Sequence, residues 1–345
     1  MFQLLTRHLS LLVLLIFCSA VQAMDYYFSD EQTLRENYPT LIQGFWHNQV
    51  QTGTFKGREE LDIAYAYSLH PEARGTIVIS SGRIEGYLKY KEILFDLYQN
   101  RYSVFILDHR GQGLSERMND HAHQGYVRHY DDYVADLKQF YDQIVLPNSR
   151  HKPVLLGHSM GSAIGTLYLS AYPQDFSKAA FSSPMYGIKS PLPLWLARGL
   201  VSSGQSLNRW FASRPWYFIG QGDYLAVPFA INTLTHSKIR YQIFRDEYEQ
   251  TPRLQLGGVT FDWLQASLDA LDRLEDLAPE LQTEILVLQA GGDLVVDNGR
   301  QDHLCALMPR CQLRVIAKAR HELLMEADPY RTEAMTRILD FFQAE

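Results

Sequence analysis

Residues 157–161 have the sequence Gly-His-Ser-Met-Gly and lie where one hydrophobic pattern changes into another. The apolar run at 153–156 before them predicts a buried strand, and the small and apolar residues after them predict a helix that stops at Pro173. A tight turn from a strand into a helix holds its central side chain, here that of Ser159, out from the edge of a sheet. The chain must therefore fold around a sheet whose strands lead into helices.

Short β-branched runs alternate with helical patterns along most of the chain. Strands are predicted at 75–80, 104–108, 153–156, 178–183, 285–288 and 312–317, and helices at 88–100, 128–145, 297–307 and 329–342. This alternation predicts an α/β fold in which a mainly parallel central sheet is flanked by helices. No internal repeat is found.

Residues 185–276 interrupt this alternation. They show no clear strand pattern but contain many aromatic residues, prolines and glycines, which indicates an inserted helical cap. The predicted organisation is a signal peptide at 1–23, the N-terminal part of the core at 24–184, the cap at 185–276 and the C-terminal part of the core at 277–345.

The composition excludes several classes of protein. Of the 345 residues, 46% are hydrophobic and 21% are charged, which is typical of a globular protein and not of a disordered, collagen-like or coiled-coil chain. The formal net charge is −7 and no Lys/Arg-rich run is present. Nucleic acid is therefore not expected as a partner.

The first 23 residues predict a secretory signal peptide. Arg7 precedes an apolar run at 9–17, and small residues lead up to Ala23, after which we expect cleavage. The run is short for a helix that must cross a hydrocarbon core of about 30 Å, so a cleaved signal is favoured over an uncleaved anchor. Cys18 would suit a lipoprotein, but the bulky Phe17 stands where such sites take a small residue. We expect an exported protein, periplasmic or secreted, with membrane association left open.

Cys305 and Cys311 remain after removal of the signal. An oxidising compartment permits a disulfide between them, whereas two unconnected thiols at a helix end and in the following strand are the simpler interpretation. The sequence leaves both interpretations open.

Chemistry at Ser159 needs more than the serine itself. A hydroxyl is a weak nucleophile and requires a base within hydrogen-bond reach and a third group that orients the base. When the serine lies in such a strand–turn–helix, the acid and then the histidine follow it along the chain. Asp293 lies in a glycine-containing loop after one predicted strand, and His321 follows the next. Ser159, Asp293 and His321 are therefore the candidate catalytic residues.

Other residues compete for these roles. His303 also follows Asp293, but it falls inside a predicted helix. Asp297 lies near a helix start, where a carboxylate ordinarily caps the helix. His158 is expected to pack or hydrogen-bond rather than to act as the base.

No metal or cofactor is predicted. His121, His123 and His129 have no carboxylate or cysteine at ligand spacing, so a polar loop explains them better than a metal site. Glycine fingerprints for nucleotides and dinucleotides are also missing from the sequence.

Acyl transfer needs N–H donors directed at the developing oxyanion. One should be the backbone N–H of Met160, which follows the nucleophile at a helix N-terminus, where N–H groups lack intrahelical partners. The other should lie in the loop at 81–86, where Arg83 is the candidate. The Arg83 side chain could also reach a substrate phosphate, although a solvent-facing arginine is the simpler interpretation.

Several of these segments together resemble a known family. The match to α/β-hydrolases grouped with the monoacylglycerol lipases involves residues 82–85, 108–113 and 158–161 and the segments around Asp293 and His321. Further similarity to bacterial lysophospholipases involves residues 228–232, 234–237 and 295–298. The resemblance covers roughly residues 55–342.

The resemblance implies an α/β-hydrolase fold and a serine hydrolase that cleaves the fatty-acyl ester of lysophospholipids or related monoacyl lipids through an acyl-enzyme intermediate. It gives Ser159, Asp293 and His321 the roles of a catalytic triad, with the Arg83 and Met160 amides as oxyanion donors. A lipid is then the expected partner, without nucleic acid or metal. The apolar segment 191–196 is a candidate for peripheral membrane contact.

Alternatives remain inside and outside the enzyme class. Monoacylglycerol lipases usually carry a His-Gly pair where this chain has Ser81-Gly82, so a preference for monoacylglycerol is not assumed. A general carboxylesterase or an aminopeptidase-like hydrolase would use the same machinery. A non-enzymatic exported lipid-binding module would keep the fold without the chemistry, but the intact Ser, Asp and His argue against it.

Overall fold

The computed structural model describes residues 26–344, which form one eight-stranded sheet covered by helices. The predicted signal peptide at 1–23 lies outside the described residues. The strands are β1 (Val50–Lys56), β2 (Asp62–Ser68), β3 (Gly75–Ser80), β4 (Tyr102–Leu107), β5 (Val154–His158), β6 (Lys178–Ser182), β7 (Glu284–Ala290) and β8 (Cys311–Ile316).

Helices precede the sheet and connect most of its strands. They are α1 (Glu31–Tyr38), α2 (Gly44–Gln49), α3 (Lys91–Gln99), α4 (Tyr130–Phe140), α5 (Leu146–Asn148), α6 (Met160–Ala171), α7 (Leu194–Phe211), α8 (Lys238–Gln250), α9 (Phe261–Leu277), α10 (Asn298–Leu307) and α11 (Asp328–Gln343). Segments of π-helix at Pro39–Gln43 and Tyr141–Val145 join α1 to α2 and α4 to α5. Within residues 26–344, no helix has the length and apolar character needed to cross a membrane.

The strand order across the sheet is β1-β2-β4-β3-β5-β6-β7-β8. β2 pairs antiparallel with both of its neighbours, and the remaining pairs are parallel, which confirms the predicted mainly parallel sheet. The chain places β4 on one side of β3 and β5 on the other. Such a reversal leaves a crevice beyond the carboxyl ends of the two strands, which is where ligands bind in open parallel sheets.

Both faces of the sheet are buried by helices. Ile77 and Ile79 of β3 belong to a buried cluster with residues of α3 and α11, whereas Val78 belongs to a second cluster with residues of α4, α6 and α9. A strand that is covered on both faces needs apolar residues at consecutive positions. This is why the central strands appear in the sequence as continuous apolar runs.

The segment between β6 and β7 contains α7, α8 and α9 and no strand among its described residues. α9 contributes Trp263 to the buried cluster that includes α4 and α6. α8 is tied to the rest of the molecule by Arg240, whose guanidinium pairs with Glu92 at 2.9 Å and with Asp328 at 2.8 Å. The cap boundaries at 185 and 276 stay a prediction.

The antiparallel edge of the sheet, formed by β1 and β2, was not predicted from the sequence. β1 and β2 form an antiparallel pair in register from Val50–Ser68 to Lys56–Asp62. Four of the seven β1 residues are exposed, and Phe55 is its one buried side chain. An edge strand with a solvated face carries no continuous apolar run, so its pattern is weak.

A disulfide joins Cys305 in α10 to Cys311 at the start of β8. Their Cα atoms lie 5.4 Å apart, within the usual range for a bridge. α10 ends only a few residues before β8 begins, so the turn between them brings the two side chains together. The interpretation as two unconnected thiols is therefore wrong.

The turn from β5 into α6 depends on the two glycines that flank Ser159. A Cβ atom at Gly157 would lie 2.8 Å from the Phe181 ring, and one at Gly161 would lie 2.0 Å from the carbonyl oxygen of Ser80. Both distances are well below van der Waals contact between heavy atoms. β3 and α6 can therefore approach this closely only because position 161 has no side chain.

We expect Gly161→Ala to destabilise the protein, because the added methyl group overlaps a backbone carbonyl that cannot rotate away. The free energy of unfolding measured in urea should fall by about 1–3 kcal/mol, the usual cost of overpacking. Gly199→Ala in α7 is the matched control, since a Cβ there meets nothing within 4 Å and alanine is favoured in a helix interior. Equal stability of the two variants would contradict this account of the turn.

Candidate active site

Loops that follow four strands meet above one edge of the sheet. They follow β3, β5, β7 and β8 and carry four of the five predicted site residues, and the fifth, Met160, is the first residue of α6. Because these strands are parallel, their carboxyl ends lie at the same edge. Ser159 and His321 therefore meet although 162 positions separate them in the chain.

Ser159 adopts a backbone conformation that residues other than glycine rarely adopt. Its φ is 49° and its ψ is −116°. Backbone hydrogen bonds from Ser159 N to Ser182 O and from Met185 N to Ser159 O, each 3.0 Å long, hold the residue in place. Strain of about 1–3 kcal/mol of this kind persists when the surroundings fix it, and it is concentrated at functional sites. The strained turn presents the Ser159 hydroxyl to the crevice.

His321 lies between the other two candidate catalytic residues. Its Nε2 is 3.0 Å from Ser159 Oγ, and its Nδ1 is 2.7 Å from Asp293 Oδ2. Asp293 Oδ1 also accepts hydrogen bonds from the amides of Val295 and Val296, at 2.7 Å and 3.1 Å. Burial raises the pKa of Asp293, but the His321 hydrogen bond and charge and the two amides outweigh it and lower the pKa. The ionised carboxylate can then hold the His321 proton on Nδ1, which leaves Nε2 free to accept the serine proton.

The alternative acid and base are occupied elsewhere. Asp297 is the N-cap of α10 and accepts a hydrogen bond from the amide of Gly299 at 2.8 Å. His303 is exposed, with its Nε2 3.1 Å from Glu275 Oε1. Neither side chain belongs to the hydrogen-bonded chain that includes Ser159.

His158 packs behind His321. The two ring centroids are 5.0 Å apart, and His158 Nδ1 lies 3.2 Å from the carbonyl oxygen of Ser182. Burial lowers the pKa of His158 more than the nearby Glu85 charge raises it. A neutral imidazole at this position adds no positive charge beside the proton-accepting His321.

The two candidate oxyanion donors, the backbone N–H groups of Arg83 and Met160, make no hydrogen bond within the described part of the chain. The turn at 108–113 supports the Arg83 loop from behind, because Gln112 Nε2 donates to the carbonyl oxygens of Gly82 at 2.7 Å and of Glu85 at 2.8 Å. The Arg83 amide thus belongs to a supported loop that lines the cavity, and the Met160 amide is the first of α6, next to Ser159.

The Arg83 side chain is only partly exposed and packs against the cavity wall, so the interpretation as a solvent-facing arginine is wrong. Its Nη1 donates to the carbonyl oxygen of Gly257 at 3.0 Å, and its guanidinium lies 5.5 Å from the centroid of a Trp263 ring. Burial lowers the pKa of Arg83 to about 10, so the group stays charged at neutral pH.

The sequence reasoning missed a buried ionic bridge beside these residues. Lys89 Nζ lies 2.7 Å from Glu85 and 2.7 Å from Glu322. Glu85 also accepts hydrogen bonds from the Gly82 amide and, at 2.6 Å, from the Tyr90 hydroxyl. Burial raises the pKa of Glu85, but Lys89 and the other partners reverse this and bring the pKa to about 2. The bridge ties the Arg83 loop to the residue that follows His321.

One sequence signal could have indicated half of this bridge. Glu85 and Lys89 are four positions apart, the spacing at which side chains meet on a helical turn. Glu322 lies 233 positions from Lys89, and no local pattern connects them.

A cavity of about 760 Å³ opens beside Ser159. The core loops form one wall, and residues between 220 and 258 of the β6–β7 segment form the other. The second wall carries apolar and aromatic side chains, among them Tyr224, Leu225, Val227 and Phe244. A cavity of this size and lining suits a small organic ligand with an apolar part.

Within residues 26–344, no group of three or more His, Cys, Asp or Glu side chains is placed to hold a metal ion. His121 Nε2 instead lies 3.2 Å from Asp223 Oδ1 at the cavity wall.

The family described as serine aminopeptidase, S33, matches this chain over residues 71–328. That range contains the β6–β7 segment and all five predicted site residues.

Relatives with known names match over nearly the whole chain. The sequence is 37% identical over 308 residues to lysophospholipase L2 of Escherichia coli (strain K12). The aligned region covers 87% of this chain and 89% of that protein. The sequence is also 33% identical over 301 residues to the probable lysophospholipase L2 of Haemophilus influenzae. Here the aligned region covers 86% of this chain and 93% of that protein.

A solved structure supports the fold. A soluble variant of the Saccharomyces cerevisiae monoglyceride lipase superposes with a TM-score of 0.63 at 17% identity and covers 85% of this chain and 96% of that one. The expected α/β-hydrolase fold is thereby confirmed. The chain belongs to the serine aminopeptidase S33 family of α/β-hydrolases.

Proposed function

We propose that the protein is a serine hydrolase that releases the fatty acid from lysophospholipids through an acyl-enzyme intermediate on Ser159. The observation that carries the proposal is the hydrogen-bonded chain from Ser159 through His321 to Asp293 at the wall of a cavity of about 760 Å³. The names of the two lysophospholipase relatives support the choice of substrate.

In the acylation step, Ser159 Oγ attacks the carbonyl carbon of the acyl ester while its proton passes to His321 Nε2. The ester carbonyl oxygen becomes an oxyanion and accepts hydrogen bonds from the Arg83 and Met160 amides. The imidazolium is stabilised by Asp293. The His321 imidazolium then returns the proton to the glycerol oxygen as the ester C–O bond breaks, and the glycerophospho headgroup leaves.

Water completes the cycle. A water molecule attacks the acyl carbonyl carbon and gives a proton to His321 Nε2, and the same two amides hold the second oxyanion. When this intermediate collapses, the bond to Ser159 Oγ breaks and His321 returns the proton to the serine. The fatty acid is released and the hydroxyl is restored.

Monoacylglycerols are the second candidate substrate, because they carry the same acyl ester on glycerol. An aminopeptidase-like hydrolase is less well supported, since a substrate with a free α-ammonium group requires an unpaired carboxylate nearby. Three carboxylates line the cavity. Glu85 and Glu322 both pair with Lys89. Asp223 accepts a hydrogen bond from the Tyr217 hydroxyl and faces His121. The geometry therefore favours an ester with an apolar chain.

Ser159→Ala should abolish fatty-acid release from lysophosphatidylethanolamine, with kcat reduced about 10⁴-fold or more, because the nucleophile is removed. Product analysis should also include a monoacylglycerol of the same chain length and amino-acid amides. Ser162→Ala is the matched control, since the Ser162 hydroxyl is buried in α6 without a hydrogen-bond partner in the described chain. Turnover of lysophospholipid by S159A at the wild-type rate, or faster wild-type hydrolysis of the amides, would contradict the proposal.

We also propose that α7 contacts the lipid surface that supplies the substrate. Trp195 and Trp210 are 75% and 81% exposed, and they lie within about 60° of each other around a helix of 3.6 residues per turn. Leu194 and Phe211 at the ends of α7 are also exposed. Large exposed apolar side chains on one helix are typical of a surface that binds lipid or protein.

Co-sedimentation with vesicles of phosphatidylethanolamine and phosphatidylglycerol tests this contact. The double variant W195A/W210A should bind at least about tenfold more weakly, because each indole loses apolar area buried in the interface. Leu146→Ala removes an exposed apolar side chain from α5, which lies outside the β6–β7 segment, and this variant should bind like the wild type. Unchanged binding of W195A/W210A would argue against α7 as the contact.

We further propose that the chain is exported and loses residues 1–23. The Arg7 region, the apolar run and Ala23 support cleavage, and the Cys305–Cys311 bridge suits an oxidising compartment. Protein isolated from its native cells should begin at Met24 by intact mass, and unreduced peptide maps should contain the bridge. A chain that keeps residues 1–23 and has both thiols free would refute export.

A further inference from the structure

Three cationic side chains line the cavity beside Ser159, and their charges are balanced differently. Lys89 lies 2.7 Å from both Glu85 and Glu322, so two carboxylates neutralise it. Arg83 and Arg245 have no carboxylate oxygen within 4.0 Å in the described part of the chain. The cavity therefore contains two cations that the protein does not neutralise locally.

Aromatic side chains fix the Arg245 guanidinium. Its Nη1 donates to the Tyr224 hydroxyl at 3.1 Å, and its Nη2 donates to the Tyr241 hydroxyl at 2.8 Å. The guanidinium carbon lies 4.5 Å from the centroid of the Phe244 ring and 4.9 Å from that of Tyr241. Tyr241 is itself held, because its hydroxyl donates to the carbonyl oxygen of Val227 at 2.6 Å. The plane of the guanidinium is thus set before a ligand arrives.

Most of the Arg245 donors are unused. A guanidinium has five N–H groups, and the two tyrosines accept from two of them. Nε is buried and has no hydrogen-bond partner within residues 26–344. The two tyrosines and the aromatic rings replace part of the solvation that Arg245 loses on burial, but no carboxylate balances its charge. A ligand that brings an anion supplies that balance. The guanidinium fork matches the oxygens of a phosphodiester.

The remaining charges restrict where an anion can bind. Glu85, Lys89 and Glu322 together carry one net negative charge and border the His321 side of the cavity. Asp223 accepts a hydrogen bond from the Tyr217 hydroxyl at 2.6 Å and also faces His121. A phosphate is therefore repelled from the Lys89 bridge and attracted towards Arg83 and Arg245. The Arg83 guanidinium already donates to the carbonyl oxygen of Gly257 and lies over Trp263, beside the candidate site of the ester oxyanion. Arg245 is thus the cation left for a headgroup.

We infer that Arg245 binds the phosphate of the lysophospholipid headgroup and is a specificity-determining residue. The inference rests on the proposed hydrolysis at Ser159 and extends it to the choice between two lipid classes. A neutral monoacylglycerol offers no charge to Arg245, whereas a lysophospholipid gains a charge-assisted hydrogen bond there. Because Arg245 lies on α8 and Ser159 on the core, opposite walls of the cavity hold the headgroup and the ester.

The test is the ratio of kcat/KM for lysophosphatidylethanolamine to kcat/KM for the monoacylglycerol of the same acyl chain, both in neutral-detergent micelles. R245M should lower this ratio about 10- to 100-fold, the range expected for loss of a charge-assisted hydrogen bond. R245K should lower it less, since the charge remains. R273M removes a cation of α9 that pairs with Asp131 on the exposed surface, and it should keep the wild-type ratio.

An unchanged ratio in R245M would overturn the inference. This includes the case in which activity falls equally on both lipids, as a merely structural role would produce. A binding assay separates this failure from failure of the proposed hydrolysis. In the S159A background, calorimetry should show that R245M weakens binding of lysophosphatidylethanolamine but not of monoacylglycerol. If the wild type hydrolyses neither lipid while this binding difference is present, the hydrolysis proposal fails and the phosphate site stands. If the binding difference is absent, the phosphate site fails whatever the activity.

Discussion

The hydrogen bond of 3.0 Å between His321 Nε2 and Ser159 Oγ is the contact on which the proposed chemistry of this protein depends. Without it the Ser159 hydroxyl is as unreactive as any other alcohol. The bond forms between residues 162 positions apart because β5, β6, β7 and β8 are parallel neighbours whose carboxyl ends share one edge. The loop after β7 then supplies Asp293, which fixes the His321 ring through a bond of 2.7 Å.

Much of the core could be predicted because its strands are buried on both faces and appear as uninterrupted apolar runs. Ser159 and Asp293 could be located because each follows such a run. His321 follows β8, a half-exposed edge strand, and could be located because it completes the order of serine, acid and histidine along the chain. β1 could not, since most of its side chains are solvated and leave only a weak pattern. The Lys89–Glu322 pair and the aromatic surroundings of Arg245 were also invisible, because they join segments far apart in the chain that only the tertiary fold brings together.

The charges around the cavity suggest how one fold can serve different lipids. Lys89 is neutralised by Glu85 and Glu322 and holds two loops together, so it has a structural use within the protein. Arg245 is held by neutral aromatic groups and keeps its charge available. α8 belongs to the segment between β6 and β7. The proposed role of Arg245 therefore puts substrate preference in that segment, apart from the hydrogen-bonded chain at Ser159.

The most direct test of the central claim is labelling with a fluorophosphonate probe, followed by intact mass measurement and peptide mapping. The His321–Ser159 contact predicts one adduct per chain, on Ser159, and a labelling rate reduced at least about 10³-fold in His321→Ala, because the serine then has no base. An adduct on a different serine, or equal labelling rates for the wild type and the histidine variant, would contradict the account.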